Sequence, residues 1–261
     1  MRLPPKFYKY RGMSNGSEKF VERTVLNDEL YMATSSSFND PFDLNPVFSF
    51  EGSKEEQIED YIRLHEKFGV QCDGDLREIA TALVEERLSA DAIENTEATM
   101  GIAHRLAVAD VTGVYCLTTE PDNLLMWAHY ADNHKGICLE FSNQIALEVG
   151  VPMKVAYSHL RTPIRMYGAQ ENSLELSLCT KSSHWAYEEE WRLIRPQYDG
   201  GKGVAVFRPA CLTGIIIGAL ASPETIDLVQ CWARTRKEPL RLSRAVLSKR
   251  EFALELRPFP R

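Results

Sequence analysis

Glu188, Glu189 and Glu190 stand in a row inside His184–Arg195 (HWAYEEEWRLIR), a segment otherwise rich in aromatic and aliphatic side chains. Read as a β-strand, alternate residues face opposite ways. Trp185, Tyr187, Glu189, Trp191 and Leu193 then share one face, and Ala186, Glu188, Glu190, Arg192 and Ile194 the other. Like charges side by side are destabilising unless a cation, a proton or a ligand offsets them. The pair Glu188 and Glu190 is therefore either a salt-bridge ladder ending in Arg192 or half of an active site. The neighbouring aromatics, Trp185 among them, offer a stacking wall for a flat ligand such as nicotinamide or adenine.

Two further clusters carry chemistry-bearing residues. Phe38–Asp43 (FNDPFD) is dense in turn formers. Either Phe38 and Phe42 staple this loop into the core, or Asn39 and Asp40 are polar groups aimed into a cleft. Leu125–Gly136 (LMWAHYADNHKG) holds His129, Tyr130 and His134. On a helix starting near Asp122, Trp127 and Tyr130 share a face, and Met126, His129 and Asn133 another. The histidines are five apart, poor spacing for paired helical metal ligands. They belong either to a hydrogen-bonded core helix or to a site in which His129 or His134 is a substrate donor or general acid/base.

Other familiar chemistries lack their residues. There is no GxGxxG after a strand, no GxxxxGK[ST], no GxSxG and no HExxH. Asp199–Gly203 (DGGKG) lacks phosphate-loop spacing and reads as a hairpin tip. The cysteines, Cys72, Cys116, Cys138, Cys179, Cys211 and Cys231, are scattered with no CxxC pair. They read as reduced thiols in a cytoplasmic protein, and no bound metal is expected.

Together, Tyr8–Arg11 (YKYR), Phe38–Phe42 (FNDPF), Met126–Tyr130 (MWAHY) with His134–Gly136, and Trp185–Arg192 (WAYEEEWR) resemble a bacterial family known only as a domain of unknown function, over roughly residues 6 to 220. A more distant resemblance is to the ADP-ribosyltransferase superfamily, whose members show an arginine or histidine on a first strand, then a strand ending in Ser-Thr-Ser type residues, then Glu-x-Glu. Arg11, Tyr31–Ser36 and Glu188–Glu190 look like those elements. The resemblance implies an NAD-using ADP-ribosyltransferase-like or NAD glycohydrolase enzyme, in the setting of a toxin or phage-defence effector. It makes Glu190 catalytic, with Glu188 and His129 assisting. Arg11, beside Tyr10, would hold the NAD pyrophosphate, Ser35 would brace the ribose pocket, and Asn39, Asp40, Tyr130 and Trp185 would line the site. Two alternatives stand beside it: a non-catalytic nucleotide- or protein-binding module, and a metal-dependent nuclease using Asp40, Glu188, Glu190 and a histidine.

The elements that must position these residues follow from the pattern. Lys6 to Phe50 reads as an edge strand at Phe7–Arg11, a helix at Ser17–Asn27, a strand at Glu29–Ala33 and a loop. Residues 53–109 read as a helical insertion or cap. Ile58, Tyr61, Ile62 and His65 fall at helical spacing there, as do Leu76, Ile79, Ala80, Leu83 and Leu88. Glu51–Met100 holds 14 acidic against five basic residues, most simply a solvated face. Gly113 to Pro260 reads as mixed α/β, with strands at Val114–Leu117, Gly136–Phe141, Lys154–Tyr157, Gly203–Arg208, Ile215–Ile217, Leu240–Leu247 and Phe252–Leu256. Its helices start at Asp122, as N-cap, and at Ser222–Pro223–Glu224. The expectation is a single α+β domain over 1–261, with a mixed, mainly antiparallel central sheet.

The chain has 261 residues and a net charge of −7. Such a charge offers no global basic field for nucleic acid or an anionic membrane. Nucleic acid would have to use Arg234–Arg261, with nine basic against three acidic residues. No apolar run approaches the roughly 18 residues that a membrane span requires. The expected partner is a small-molecule nucleotide, and the sequence leaves the oligomeric state open.

Overall fold

The computed structural model describes residues 2–68, 73–87, 90–167 and 172–260. The chain runs β1 (Lys6–Arg11), α1 (Glu18–Leu26), β2 (Glu29–Met32) and β3 (Phe48–Ser49). Three helices follow, α2 (Lys54–Phe68), α3 (Leu76–Arg87) and α4 (Ala90–His104). Next come β4 (Gly113–Thr118), α5 (Leu124–Tyr130), β5 (Ile137–Ser142), α6 (Ile145–Glu148), β6 (Val151–Lys154), β7 (Ala156–Ser158), β8 (Ile164–Arg165), α7 (Ser173–Leu178) and β9 (Thr180–Ser182). The last part is β10 (Glu190–Arg195), β11 (Gly203–Val206), β12 (Leu212–Ile217), α8 (Pro223–Thr235), β13 (Arg241–Leu247) and β14 (Leu254–Pro258).

Eight strands form the main sheet in the order β14-β13-β12-β5-β1-β4-β10-β6. Its pairings are antiparallel except β12–β13, which α8 crosses over to join in parallel. This is the mixed, mainly antiparallel α+β arrangement expected. β1 is not an edge strand: it lies between β5 and β4. Its alternation reflects two covered faces. Phe7 packs with Tyr115, Leu117, Trp191 and Leu193 under Val21 and Val25 of α1 and Trp232 of α8. Tyr10 faces the opposite way, with Cys138, Ile216 and Ala245, under Met126 and Trp127 of α5. Trp127 is fully buried, and removing such a side chain costs about 3–5 kcal/mol.

Three local expectations change. The α5 cap is Asn123, whose side chain accepts the N–H groups of Leu125 and Met126; Asp122 does not fill that role. The expected strand at Lys154–Tyr157 divides into β6 and β7, which pair with different partners. Asp199–Gly203 is not a hairpin tip, because β11 pairs with β2 and not with β10. The acidic segment is helical, and α2 and α3 bury Ile58, Ala80 and Val84 against one another. Leu88 and Cys72 lie outside the described residues; the five described cysteines are free thiols.

Candidate active site

The sheet is split beside its centre. β1 pairs with β5 through six residues, yet meets β4 at a single pair, Tyr8↔Thr118. At the other end of β4 the open edge is taken by Ala33, which bridges Val114. Between these contacts Tyr115, Cys116 and Leu117 have no strand partner on that side. A cavity of about 960 Å³ opens there, walled by Tyr8–Arg11, Val114–Thr118, the loop residues Phe38 and Asn39, and His129 and Tyr130 of α5. Lys181, Glu188 and Glu190 also line it, as does Arg23.

The glutamates reach this wall by a turn and not by strand alternation. Ser183–Glu188 is a 3-10 helix, Glu189 is left-handed at φ 43°, and β10 begins only at Glu190. Trp185 and Tyr187 therefore do not share a strand face with Trp191. The turn leaves Glu189 half exposed, 3.2 Å from Lys154 Nζ, while Glu188 and Glu190 are each 3 % exposed.

Around them lies a buried charge cluster. Lys181 Nζ donates to Glu188 Oε2 at 2.6 Å and to Glu190 Oε2 at 3.1 Å, and lies 3.7 Å from Asp43. Arg192, 0 % exposed, donates through Nε to Glu190 Oε1 at 2.9 Å and through Nη2 to both Asp43 oxygens at 2.8 Å. Tyr130 donates its hydroxyl to Glu188 Oε1 at 2.6 Å. The two glutamates differ in consequence. Burial would raise the Glu190 carboxyl, but Arg192 and Lys181 reverse this and hold it well below the usual range. Burial raises Glu188, Lys181 opposes this and Glu190 reinforces it, so its net shift is upward. Lys181, which burial would depress, is raised by Glu190, Glu188 and Asp43. Folding thus favours the charged form of Glu190 and pushes Glu188 toward its neutral form.

Across the cavity two cations have no carboxylate partner among the described residues. Lys9 Nζ lies 5.0 Å from the centre of the Tyr115 ring, and the Arg11 guanidinium 5.7 Å from it. Burial and then Arg11 lower the Lys9 ammonium to about 8. The Tyr115 hydroxyl is buried with no hydrogen-bond partner, and burial raises it while the nearby Arg11 opposes the shift.

A tight turn fixes the end of β1. Asp132, Asn133 and His134 are consecutive left-handed residues, at φ 48°, 54° and 68°, a conformation costly for side chains other than glycine. It brings Asp132 Oδ2 to the Met13 N–H at 2.6 Å, and His134 stacks on Trp127 at 6.5 Å. Gly136 leaves no room for a side chain, because a Cβ there would lie 2.2 Å from the Arg11 carbonyl oxygen.

Of the residues singled out in the sequence, Tyr10, Arg11, Asn39, His129, Tyr130, Glu188 and Glu190 line the cavity. Ser35, Asp40 and Trp185 are placed elsewhere. Ser35 donates to Asp110 at 3.1 Å; of the serines in that loop, Ser37 is the one on the lining. Asp40 is used inside its own turn, accepting the Phe42 N–H at 2.9 Å, so it does not join the glutamates as a nuclease site would require. Trp185 holds Lys181 over its ring, 5.0 Å from the centre. Phe38 staples its loop under Arg192 at 5.6 Å, whereas Phe42 is 58 % exposed. His129 is exposed, its Nδ1 3.2 Å from the Tyr187 hydroxyl. Among the described residues no group of three or more histidine, cysteine, aspartate or glutamate side chains is disposed to hold a metal ion. Sequence reasoning missed Lys181, Asp43, Lys9 and Tyr115. Lys9 and Asp43 lie within the quoted YKYR and FNDPFD stretches and were passed over there; Lys181 and Tyr115 carry no local signal.

The profile of a protein family described as Protein of unknown function (DUF2971) matches residues 126–193, so the chain is similar to that family over α5 to β10. The match is narrower than residues 6 to 220 and includes neither Tyr8–Arg11 nor Phe38–Phe42. No curated protein and no solved structure matches the chain. Among the described residues no helix is long and apolar enough to cross a membrane.

Proposed function

We propose that the protein is an enzyme that cleaves the N-glycosidic bond of a nucleotide, NAD being the substrate to which its resemblance to ADP-ribosyltransferases points. The observation that carries this reading is Glu188. It is buried, raised toward protonation, held by Tyr130 and Lys181, and open to a cavity large enough for a nucleotide. In the reaction the bond between ribose C1′ and the nicotinamide nitrogen breaks, and its electron pair neutralises the pyridinium ring. The Glu188 carboxylate stabilises the oxocarbenium-like centre. Water, or an acceptor hydroxyl or amine, then attacks C1′ and gives its proton to Glu188. Glu190 keeps Lys181 and Arg192 in place. The two glutamates thus exchange the roles that the motif alone suggests.

The test is the contrast between the two carboxylates. Glu188→Gln should fold with near-normal stability, because the cluster holds three carboxylates against two cations, and its NAD turnover should fall by roughly a hundredfold or more. Glu190→Gln should chiefly lose stability. Full activity in Glu188→Gln would overturn the assignment. NAD binding without turnover in the wild type would favour a non-catalytic nucleotide-binding module.

A further inference from the structure

We propose that Lys9, Arg11 and the Tyr115 hydroxyl form a subsite for a multiply charged phosphate or pyrophosphate group, so that the cavity takes phosphorylated nucleotides and rejects free nucleosides. This rests on reading the cavity as a nucleotide site. The role of Arg11 follows from the resemblance; those of Lys9 and Tyr115 follow from the structure.

The other cations on the cavity wall are compensated. Arg23 pairs with Glu29 at 2.7 Å, and Lys181 with Glu188 and Glu190. Lys9 and Arg11 form no ion pair with a carboxylate among the described residues, and both sit against the ring of Tyr115; Glu190 and Glu188 act on Lys9 only from farther off. A lysine offers three donors, an arginine five and a phenol one. Here both cations lie close to one ring, 5.0 and 5.7 Å from its centre, with no carboxylate paired to either among the described residues, and Tyr115 is 1 % exposed with its hydroxyl unpaired. Two adjacent cations destabilise one another, and the Lys9 ammonium is lowered first by burial and then by Arg11, against the more distant Glu190 and Glu188. A ligand of at least two negative charges removes the repulsion and supplies the missing acceptors. A neutral ribose or base offers acceptor atoms but no charge, and so leaves the repulsion in place.

The experiment is equilibrium binding of inorganic pyrophosphate, ADP and adenosine, by calorimetry and thermal shift, to the wild type, Lys9→Met, Lys9→Arg and Tyr115→Phe. Pyrophosphate and ADP should bind and stabilise the wild type, and adenosine should not. Lys9→Met should weaken pyrophosphate binding about ten- to hundredfold, the loss of one charge-assisted contact. Lys9→Arg should restore most of it, and Tyr115→Phe should weaken it less. Equal binding of pyrophosphate by wild type and Lys9→Met, or no binding by the wild type, would overturn the proposal. Should Lys9→Met fail to fold, undiminished binding by Tyr115→Phe together with adenosine binding as tight as ADP would do the same. None of these readings needs turnover. Pyrophosphate bound with NAD left intact removes the proposed reaction and keeps the subsite.

Discussion

Tyr130 and Glu188, 58 residues apart in the chain, meet through a 2.6 Å hydrogen bond at the wall of the cavity. The bond joins the end of α5 to the turn before β10 and holds the Glu188 carboxylate at the cavity wall. Tyr130→Phe removes one donor from Glu188 and leaves Lys181 in place. Expected is a kcat lowered severalfold or more, with unfolding free energy changed by only about 1 kcal/mol. Unchanged kcat in calorimetrically normal protein would show that the bond does not serve the reaction.

Arg192 is the counter-charge on which the cluster depends. It is fully buried and bonded to Glu190, Asp43 and the Leu178 carbonyl. Arg192→Met leaves two carboxylates short of a partner, and such losses cost about 3–5 kcal/mol. Denaturant unfolding measures this. A loss under about 1 kcal/mol would mean that the cluster relaxes by taking up water or protons. Arg192 also depresses Glu190. A carboxyl lowered by folding contributes stability that is present above its unfolded value, near 4.5, and lost as pH falls through the folded one.

Glu189 provides a conformational test. Its left-handed backbone is what brings Glu188 and Glu190 to one wall. Glycine adopts that conformation freely and a β-branched residue does not. Expected is near-normal stability and turnover for Glu189→Gly, and about 1–2 kcal/mol of lost stability with reduced turnover for Glu189→Val. The side chain's exposed ion pair with Lys154 contributes little either way. Similar behaviour of the two variants in urea melts and NAD assays would contradict this.

Lys9 makes ligand binding depend on pH. Its folded-state value is lowered to about 8, so the free protein carries the charge below that pH and loses it above. Affinity for pyrophosphate should therefore fall as pH rises through about 8, and a bound anion would shift the midpoint upward. The stability sign is opposite. A cation penalised by folding costs stability at low pH, and that cost disappears as pH rises from about 8 toward the ordinary 10.5. Calorimetric titrations from pH 7 to 9.5 measure the binding. A flat profile, or the same slope in Lys9→Met, would remove Lys9 from the subsite.

Much of the fold was legible in the sequence, because hydrophobic periodicity and caps are local signals. The helix after Ser222–Pro223–Glu224 and the strands at Phe7–Arg11 and Val114–Leu117 are examples. The sheet order was not, and so β1 read as an edge strand. The convergence of Glu188, Glu190 and Arg192 was expected from alternation and arises instead from the left-handed Glu189, which no period of two encodes. Lys181 was invisible for another reason. It stands alone on a three-residue strand, and only the tertiary fold brings it to the glutamates. Asp40 satisfies its own turn, as turn-forming residues readily do, and Ser35 is taken by the distant Asp110, a partner no local pattern encodes.

The most direct measurement is incubation of the purified protein with NAD, with nicotinamide and ADP-ribose quantified against buffer, beside Glu188→Gln. Expected is nicotinamide release by the wild type, and its loss in a variant that melts at the wild-type temperature. Absence of release by wild-type protein, with and without added protein or nucleic-acid acceptors, or undiminished release by Glu188→Gln, would contradict the proposed chemistry at Glu188.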